Sequence, residues 1–478
     1  MSGALGTNSC RVAVMALVLL ASGCASLSKP AWDRPPPPAL DAPVVQPGAL
    51  ERAKLDNGME VLVLEDRRLP RIVLGVVVRR GGDLVAPERA GLAAFTTELM
   101  KRGAGERDAL ALSQATDEIG ASLSVGGDWD STTVTVSGLS RDRDRLLEIL
   151  ADVVLRPRFE AREAVRARDQ MLASLERAKD DPATLSRWHL ARTLYKDHPY
   201  GAPRGGTAES VARLDASQAR AFHRSIFVPN DAIFFAAGDA DMKSLLPAAG
   251  KAFGAWKRGE VVPPGPAPPQ RVPDARRIVI VDRPDLAQAR IALAHEGLAR
   301  TDPDRIPASL MNTVLGGGGF SSRLTETLRT EGGLTYGVWS GFGLRRHAGP
   351  FLVITFTRVP EVRRVLDLTL SDLERMRDEP PTAAELRNAK ALRVGGFALG
   401  LETSTAVVSS EVDLDVYGLP EDSLDTYRGR LRAVETADTA RMARELLHPE
   451  RMVIVLVGPA EALSAQVEGL GPVEIVQP

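Results

Sequence analysis

The second half of this chain repeats the first. His448-Pro449-Glu450-Arg451 leads into an apolar run, Met452 to Val457, which Gly458 closes. Earlier, Phe227-Val228-Pro229-Asn230-Asp231 leads into another, Ala232 to Ala237, closed by Gly238. The prolines lie 449 − 229 = 220 residues apart and the glycines 458 − 238 = 220. Nearer the front of each copy, Arg290-Ile291-Ala292-Leu293 echoes Arg71-Ile72-Val73-Leu74, an offset of 290 − 71 = 219. Near-constant spacing at both ends predicts a duplicated domain of about two hundred residues. The 478 residues suffice for two such units with full cores. Each copy mixes strand and helix patterns without a regular βαβ alternation, so the expected class is α+β.

Within the first copy, Asn57-Gly58 is a turn dipeptide, and Met59 to Leu64 alternates behind it as a strand. A second strand is expected over Ile72 to Val78. Pro87 to Arg102 reads as one helix, with Leu92, Phe95, Leu99 and Met100 on a face and Gly103 as its stop. Ala121 to Val136 alternates as a hairpin, and Arg141 to Leu155 and Glu160 to Ala178 read as charged amphipathic helices. A Pro-rich stretch, Val261 to Pro273, marks the linker. The halves are accordingly set at 50–260 and 276–478, with 261–275 between them.

The front of the chain reads as a targeting segment. Arg11 precedes an apolar run, Val12 to Leu20, too short for a permanent bilayer span. Ala21-Ser22-Gly23-Cys24 follows, and small residues leading into a Cys resemble a bacterial lipoprotein signal over residues 1–24. Ala21 stands where a strict signal has Leu, and an ordinary secretory signal cut near Ala25 is the alternative. Lipidation of Cys24 would supply several acyl chains, enough for stable anchoring to a membrane. Residues 25–49, with Pro35-Pro36-Pro37-Pro38, would then serve as an extended tether. Ala25 in place of Asp after the Cys points to the outer membrane rather than the inner, with the chain facing the periplasm. The other cysteine, Cys10, lies inside the signal, so the mature chain has no disulfide and no cysteine metal site. A net charge of −2 with no basic run gives no footprint for nucleic acid.

The densest motif is Gly316-Gly317-Gly318-Gly319-Phe320-Ser321-Ser322-Arg323-Leu324, continuing through Arg329 to Gly333-Leu334-Thr335-Tyr336. Four glycines open backbone conformations closed to other residues and let another chain come near. Ser321 and Ser322 can cap a helix, Leu324 and Leu328 lie one turn apart on it, and Gly332-Gly333 stops it behind Arg329. Tyr336 follows Arg329 by seven residues in a β-type run, Leu334 to Phe342. A loop, a short helix ending in Arg and a strand bearing Tyr would set a cation and a phenol beside one groove. On the residues alone, a helix-end ion pair for Arg329 and a packing role for Tyr336 stay open.

This block resembles the second-domain signature of the pitrilysin/insulysin (inverzincin) superfamily of zinc peptidases, in its bacterial processing-protease-like branch. The resemblance spans both halves from about Leu50 onward. It implies two homologous α+β domains, each an antiparallel sheet packed with helices, related by pseudo-two-fold symmetry. It also implies that Arg329 and Tyr336 hold the substrate backbone, with Gly316, Gly317, Gly318, Gly319, Ser321 and Ser322 along its path.

Where the family keeps its metal, the first half departs from it. Catalytic members read Gly-Leu-Ala-His-Phe-x-Glu-His on the helix after the second strand; the two His bind zinc and the Glu is the general base. Here the register gives Gly91-Leu92-Ala93-Ala94-Phe95-Thr96-Thr97-Glu98. Ala94 and Glu98 stand for the two His, and Thr97 for the Glu. Counting back from Asp180-Asp181-Pro182 puts Ser174, or Ala173, at the family's third ligand, a Glu. These are degenerate positions of a site that takes two imidazoles and a carboxylate. Of the six histidines, His189, His198, His223, His295, His347 and His448, no two fall within four residues. His198-Pro199-Tyr200-Gly201 resembles a structural loop of the family, and His295-Glu296 is expected as a strand-end pair in solvent. No Gly-x-Ser-x-Gly elbow, mature Cys or phosphate-loop Lys offers other chemistry.

The resemblance thus implies a non-catalytic, substrate-binding subunit of a heteromeric zinc metallopeptidase in the bacterial envelope, acting on peptides or small unfolded proteins. It would bind no cofactor itself; the zinc would sit in a paralogous partner bearing His-x-x-Glu-His. The alternatives are an inactive structural or assembly protein of the same fold, or a peptide-binding lipoprotein.

Overall fold

A computed structural model describes residues 49–268 and 275–478. The expected signal with Cys24, nearly all of the tether and part of the linker lie outside the described residues.

The first half contributes β1 (Leu50–Lys54), β2 (Glu60–Glu65), β3 (Arg71–Val78), a short pair β4 (Gly103–Ala104) and β5 (Arg107–Asp108), β6 (Ser122–Gly127), β7 (Thr132–Leu139) and β8 (Ala232–Gly238). Gly58, at φ 91°, turns β1 back into β2, a conformation open to glycine. Six of these strands form one sheet in the order β1-β2-β8-β3-β7-β6. Its neighbours are antiparallel except β2 and β8, which run parallel. The helices of this half include α1 (Leu92–Met100), α2 (Arg143–Leu155), α3 (Ala161–Ala178), α4 (Pro182–Tyr195) and α5 (Met242–Phe253). Leu92, Phe95 and Leu99 of α1, Leu146, Leu150 and Val153 of α2, and Leu245 and Phe253 of α5 bury against Val61, Val63, Ile72, Leu74 and Val76. The single helix expected over Pro87 to Arg102 is broken. Pro87–Arg89 makes one tight turn, and Gly91, at φ 94°, takes a left-handed conformation before α1 starts.

In the second half come β9 (Arg277–Asp282), β10 (Gln288–Glu296), β11 (Val338–Phe342), β12 (Pro350–Arg358), β13 (Val453–Gly458) and β14 (Val473–Val476). Its helices include α6 (Arg305–Asn312), α7 (Val362–Asp378), α8 (Ala383–Leu399), α9 (Ser404–Tyr417) and α10 (Thr436–Leu446). The sheet order, β14-β9-β13-β10-β12-β11, repeats that of the first half strand for strand after the edge. The duplication is therefore real, and the α+β class with it. The repeat offset needs correcting at the front. Val73 lies opposite Ala237 and Arg290 opposite Val457; the offsets are 290 − 73 = 217 and 457 − 237 = 220. The echo at 219 is two residues out of register. A slip of two leaves every side chain on its own face of the sheet, so burial patterning cannot detect it.

The halves exchange a helix. Leu185, Leu190 and Leu194 of α4 pack on Val279, Val281, Ala292, Ala294, Val453 and Val455 of the second sheet. In return, Val407, Val408, Val412 and Val416 of α9 pack on Leu62, Leu64, Val77, Ile233 and Phe235 of the first. Central strands are thus buried on both faces, which is why they read as unbroken apolar runs. His295 is caught in this burial. Expected in solvent, it is 1% exposed, stacks on Phe351, accepts from the His448 N–H at Nε2 and donates from Nδ1 to Glu296 O at 2.8 Å. Across the junction, linker carbonyls Gly265 O and Pro266 O accept from His347 and His198, each at 2.8 Å. Asp83 accepts from Gly265 N at 3.0 Å.

Candidate functional site

The glycine segment continues α6 rather than looping free. Thr313–Gly317 forms a wide turn with bonds five residues apart. At Gly316, which is buried, a Cβ would run into Ser340 Oγ, and at Gly318 into Thr313 O. Of the four glycines only Gly319 has a left-handed φ, 66°. Ser322 sits at the helix start, yet its side chain accepts no backbone N–H there; its Oγ donates to Gly319 O at 2.8 Å and meets Thr325 Oγ1 at 2.9 Å. Ser322 and Gly316 are inside, Gly318 is half-buried, and Gly317, Gly319 and Ser321 are at the surface.

From Ser322 the chain turns through Arg323–Thr325 and a second wide turn, Glu326–Glu331. Leu324 and Leu328 bury fully and hold this helix to the core. Arg323 grips Glu385 of α8 with two bonds, 2.8 and 3.0 Å long. Those bonds pull the Glu385 carboxyl down to about 2, against the opposing effect of burial. Gly333, at φ 59°, ends the helix, its N–H donating to Arg329 O. Tyr336 lies two residues ahead of β11, not on it. Thr335 Oγ1 donates to Gly337 O and accepts from Gly337 N, which curls the chain before pairing with β12 begins at Val338.

These elements bring Arg329 and Tyr336 together. The Arg329 guanidinium lies over the Tyr336 ring at 4.8 Å and over the Phe320 ring at 4.4 Å. Both rings stand in solvent, 79% and 75% exposed. Among the described residues no carboxylate pairs with Arg329, so the cation is held by π faces alone. Phe320 has no role in the sequence reading, although it stands inside the motif.

The degenerate metal positions lie on α1 and α3. Ala94 borders a small apolar recess with Val85, Ala93, Trp129 and Pro203. Thr97 is buried and donates from Oγ1 to Ala94 O. Burial opposes the charge of Glu98, but Lys101 at 2.6 Å and Arg102 at 2.8 Å hold its carboxyl below the usual range. Ser174 is exposed, its Oγ turned back to Gln170 O. Arg102 also reaches Gln170 and Glu163 on α3. A guanidinium therefore ties α1 to α3 here, a link that the i, i+4 spacing of Glu98 and Arg102 only half discloses. The residues present do not fit a zinc ion: no imidazole stands at these positions, and the one carboxylate is already bound by two cations. Among the described residues no group of three His, Cys, Asp or Glu could hold a metal.

The sequence matches the family descriptions Insulinase (Peptidase family M16) over residues 61–208 and Peptidase M16 inactive domain over residues 213–393. An uncharacterized zinc protease of Streptomyces coelicolor is 26% identical over 416 residues, covering 86% of this chain and 90% of that protein. One of Mycobacterium tuberculosis is 29% identical over 420 residues, covering 86% and 93%. Among solved structures, a peptidase M16 inactive domain from Pseudomonas fluorescens superposes with a TM-score of 0.80 at 28% identity, covering 86% of this chain and 98% of its own. A protease from Helicobacter pylori, at 20% identity and a TM-score of 0.78, covers 86% and 99% and shares the fold. Two M16 descriptions in tandem, laid on two sheets of one strand order, establish that this chain belongs to peptidase family M16, the insulinase family.

Proposed function

We propose that this chain is the non-catalytic, substrate-clamping subunit of a two-chain zinc peptidase. One contrast carries the reading: the zinc-site positions hold Ala94, Thr97, Glu98 and Ser174, while a half-buried Arg329 still stands against the exposed Tyr336. The chain itself takes no metal, and a partner of similar fold bearing His-x-x-Glu-His supplies zinc and the base that activates water. The naming of relatives as zinc proteases is compatible with such a partner. Tyr336 donates a hydrogen bond to the oxyanion forming on the scissile carbonyl. Arg329 donates to a neighbouring carbonyl of the substrate, and the exposed Gly317 and Gly319 let the peptide backbone run close. Substrates are peptides or small unfolded proteins, because only extended chain offers its carbonyls in this way. Cys24 carries the lipid anchor, and the complex faces the periplasm from the outer membrane in preference to the inner.

The test is capture of the tagged, detergent-solubilised chain from its native cells, with mass spectrometry of what accompanies it. A stoichiometric partner of similar fold carrying His-x-x-Glu-His is the expected result. Recovery alone, or with unrelated envelope proteins, overturns the two-chain reading.

A further inference from the structure

We infer that Phe320 is the positioning residue of Arg329 and sets the clamp's preference for extended peptides with large apolar side chains beside the held carbonyl. The inference rests on the subunit reading above and adds to it the residue and the substrate class.

The local chain is arranged to keep this ring outside. Gly319 reverses the backbone with its left-handed φ, and nothing lies within 4 Å of where its Cβ would be. On the other flank, buried Ser322 pins the turn through Gly319 O and Thr325. Phe320 is held between them, three-quarters in water, and belongs to no hydrophobic cluster of the described residues. A phenyl group so placed contributes little to folding. What it touches is Arg329, at 4.4 Å, closer than the Tyr336 ring at 4.8 Å.

Arg329 in turn has no carboxylate to orient it among the described residues. The two ring faces flank the guanidinium and leave its N–H groups as the part free to meet a ligand. Planar N–H donors of that kind select an in-plane acceptor such as a backbone carbonyl. A long Arg side chain that is already ordered loses less freedom when it binds. The remaining surface of the same two rings is apolar and open. An acceptor held by Arg329 therefore lies between apolar walls. Peptides with Phe or Leu next to that carbonyl gain contact there; peptides with Gly, Ser or Asp do not.

The experiment uses the captured native complex and three peptide series, with Phe or Leu, Gly or Ser, and Asp flanking the cleaved bond. Phe320→Ala is expected to raise KM for the Phe and Leu series roughly tenfold while kcat stays within about twofold. KM for the Gly and Ser series is expected to rise less, by the lost ordering of Arg329 alone, and Phe320→Tyr to behave as the unsubstituted chain. In the isotope-labelled chain, the Arg329 Nε–H signal carries a ring-current shift that Phe320→Ala diminishes, at unchanged thermal midpoint. An Arg329 signal without that shift overturns the stacking role. If Arg329→Ala and Tyr336→Phe cripple the complex but Phe320→Ala leaves KM unchanged, or if the Asp series is preferred, this inference fails and the subunit reading stands. If Arg329→Ala and Tyr336→Phe leave the complex at full rate, both fall.

Discussion

A methyl group added at Gly316 would meet Ser340 Oγ on the buried side of the clamp segment. Gly316→Ala is therefore expected to cost about 1–3 kcal/mol through overpacking, read as a lower urea midpoint. Tyr336→Phe acts differently, removing one hydroxyl from an exposed ring. In the complex it is expected to lower kcat by about a hundredfold or more, with assembly unchanged by size-exclusion chromatography. Resemblance to the family motif singled out Arg329 and Tyr336, because their separation is a property of that motif. It did not reveal that Ser322 faces inward or that Phe320 faces out. Both follow from one left-handed residue, Gly319, and a side chain's direction after such a turn is not written in composition.

At the level of elements, the clamp helix is latched to α8 by Arg323 and Glu385. Bonds from Arg323 depress the Glu385 carboxyl from its ordinary 4.5 to about 2, so the native state favours its charged form. The stabilisation is complete above about pH 4.5 and is lost as pH falls from there toward about 2. Glu385→Gln lacks it at every pH. The gap in urea midpoint between the two proteins is thus expected to be open at pH 6 and to close through that window. A gap that does not change with pH would exclude the latch. Helix boundaries were legible where apolar spacing was regular, as in Arg143–Leu155. They failed at Gly91, where a left-handed residue interrupts an otherwise unbroken pattern. Tyr336 missed its strand for a related reason: β-type residues continue ahead of β11, but Thr335 and Gly337 bond to each other and to the Thr355 side chain of β12 rather than through a backbone ladder.

Across the whole molecule, burial pushes one histidine in each half, His223 and His295, down to about 4, and His198, also buried, is pushed down as well. Unfolded, they titrate near 6.5, so below that pH the unfolded chain takes up protons the native chain refuses. Their contribution is complete above about pH 6.5 and is lost as pH falls toward about 4. The urea midpoint is expected to drop between pH 7 and pH 4.5, and less so in His223→Gln measured against its own value at pH 7. The duplication was legible at this scale because whole strands recur. The exchange of α4 and α9 was not, since a strand covered on both faces reads alike whichever half supplies the cover.

That exchange bears on what the linker is for. Made alone, residues 49–268 or 275–478 would present a sheet with one bare apolar face, and each is expected to be insoluble. Made together as two separate chains in one cell, they are expected to copurify as a one-to-one pair, because each holds the helix the other lacks. Failure to copurify would show that the covalent connection is needed. Joining them in one polypeptide then acts chiefly as a concentration device: it keeps the two pieces at high mutual effective concentration whatever their abundance, so that assembly of this pair never depends on matched expression of two genes.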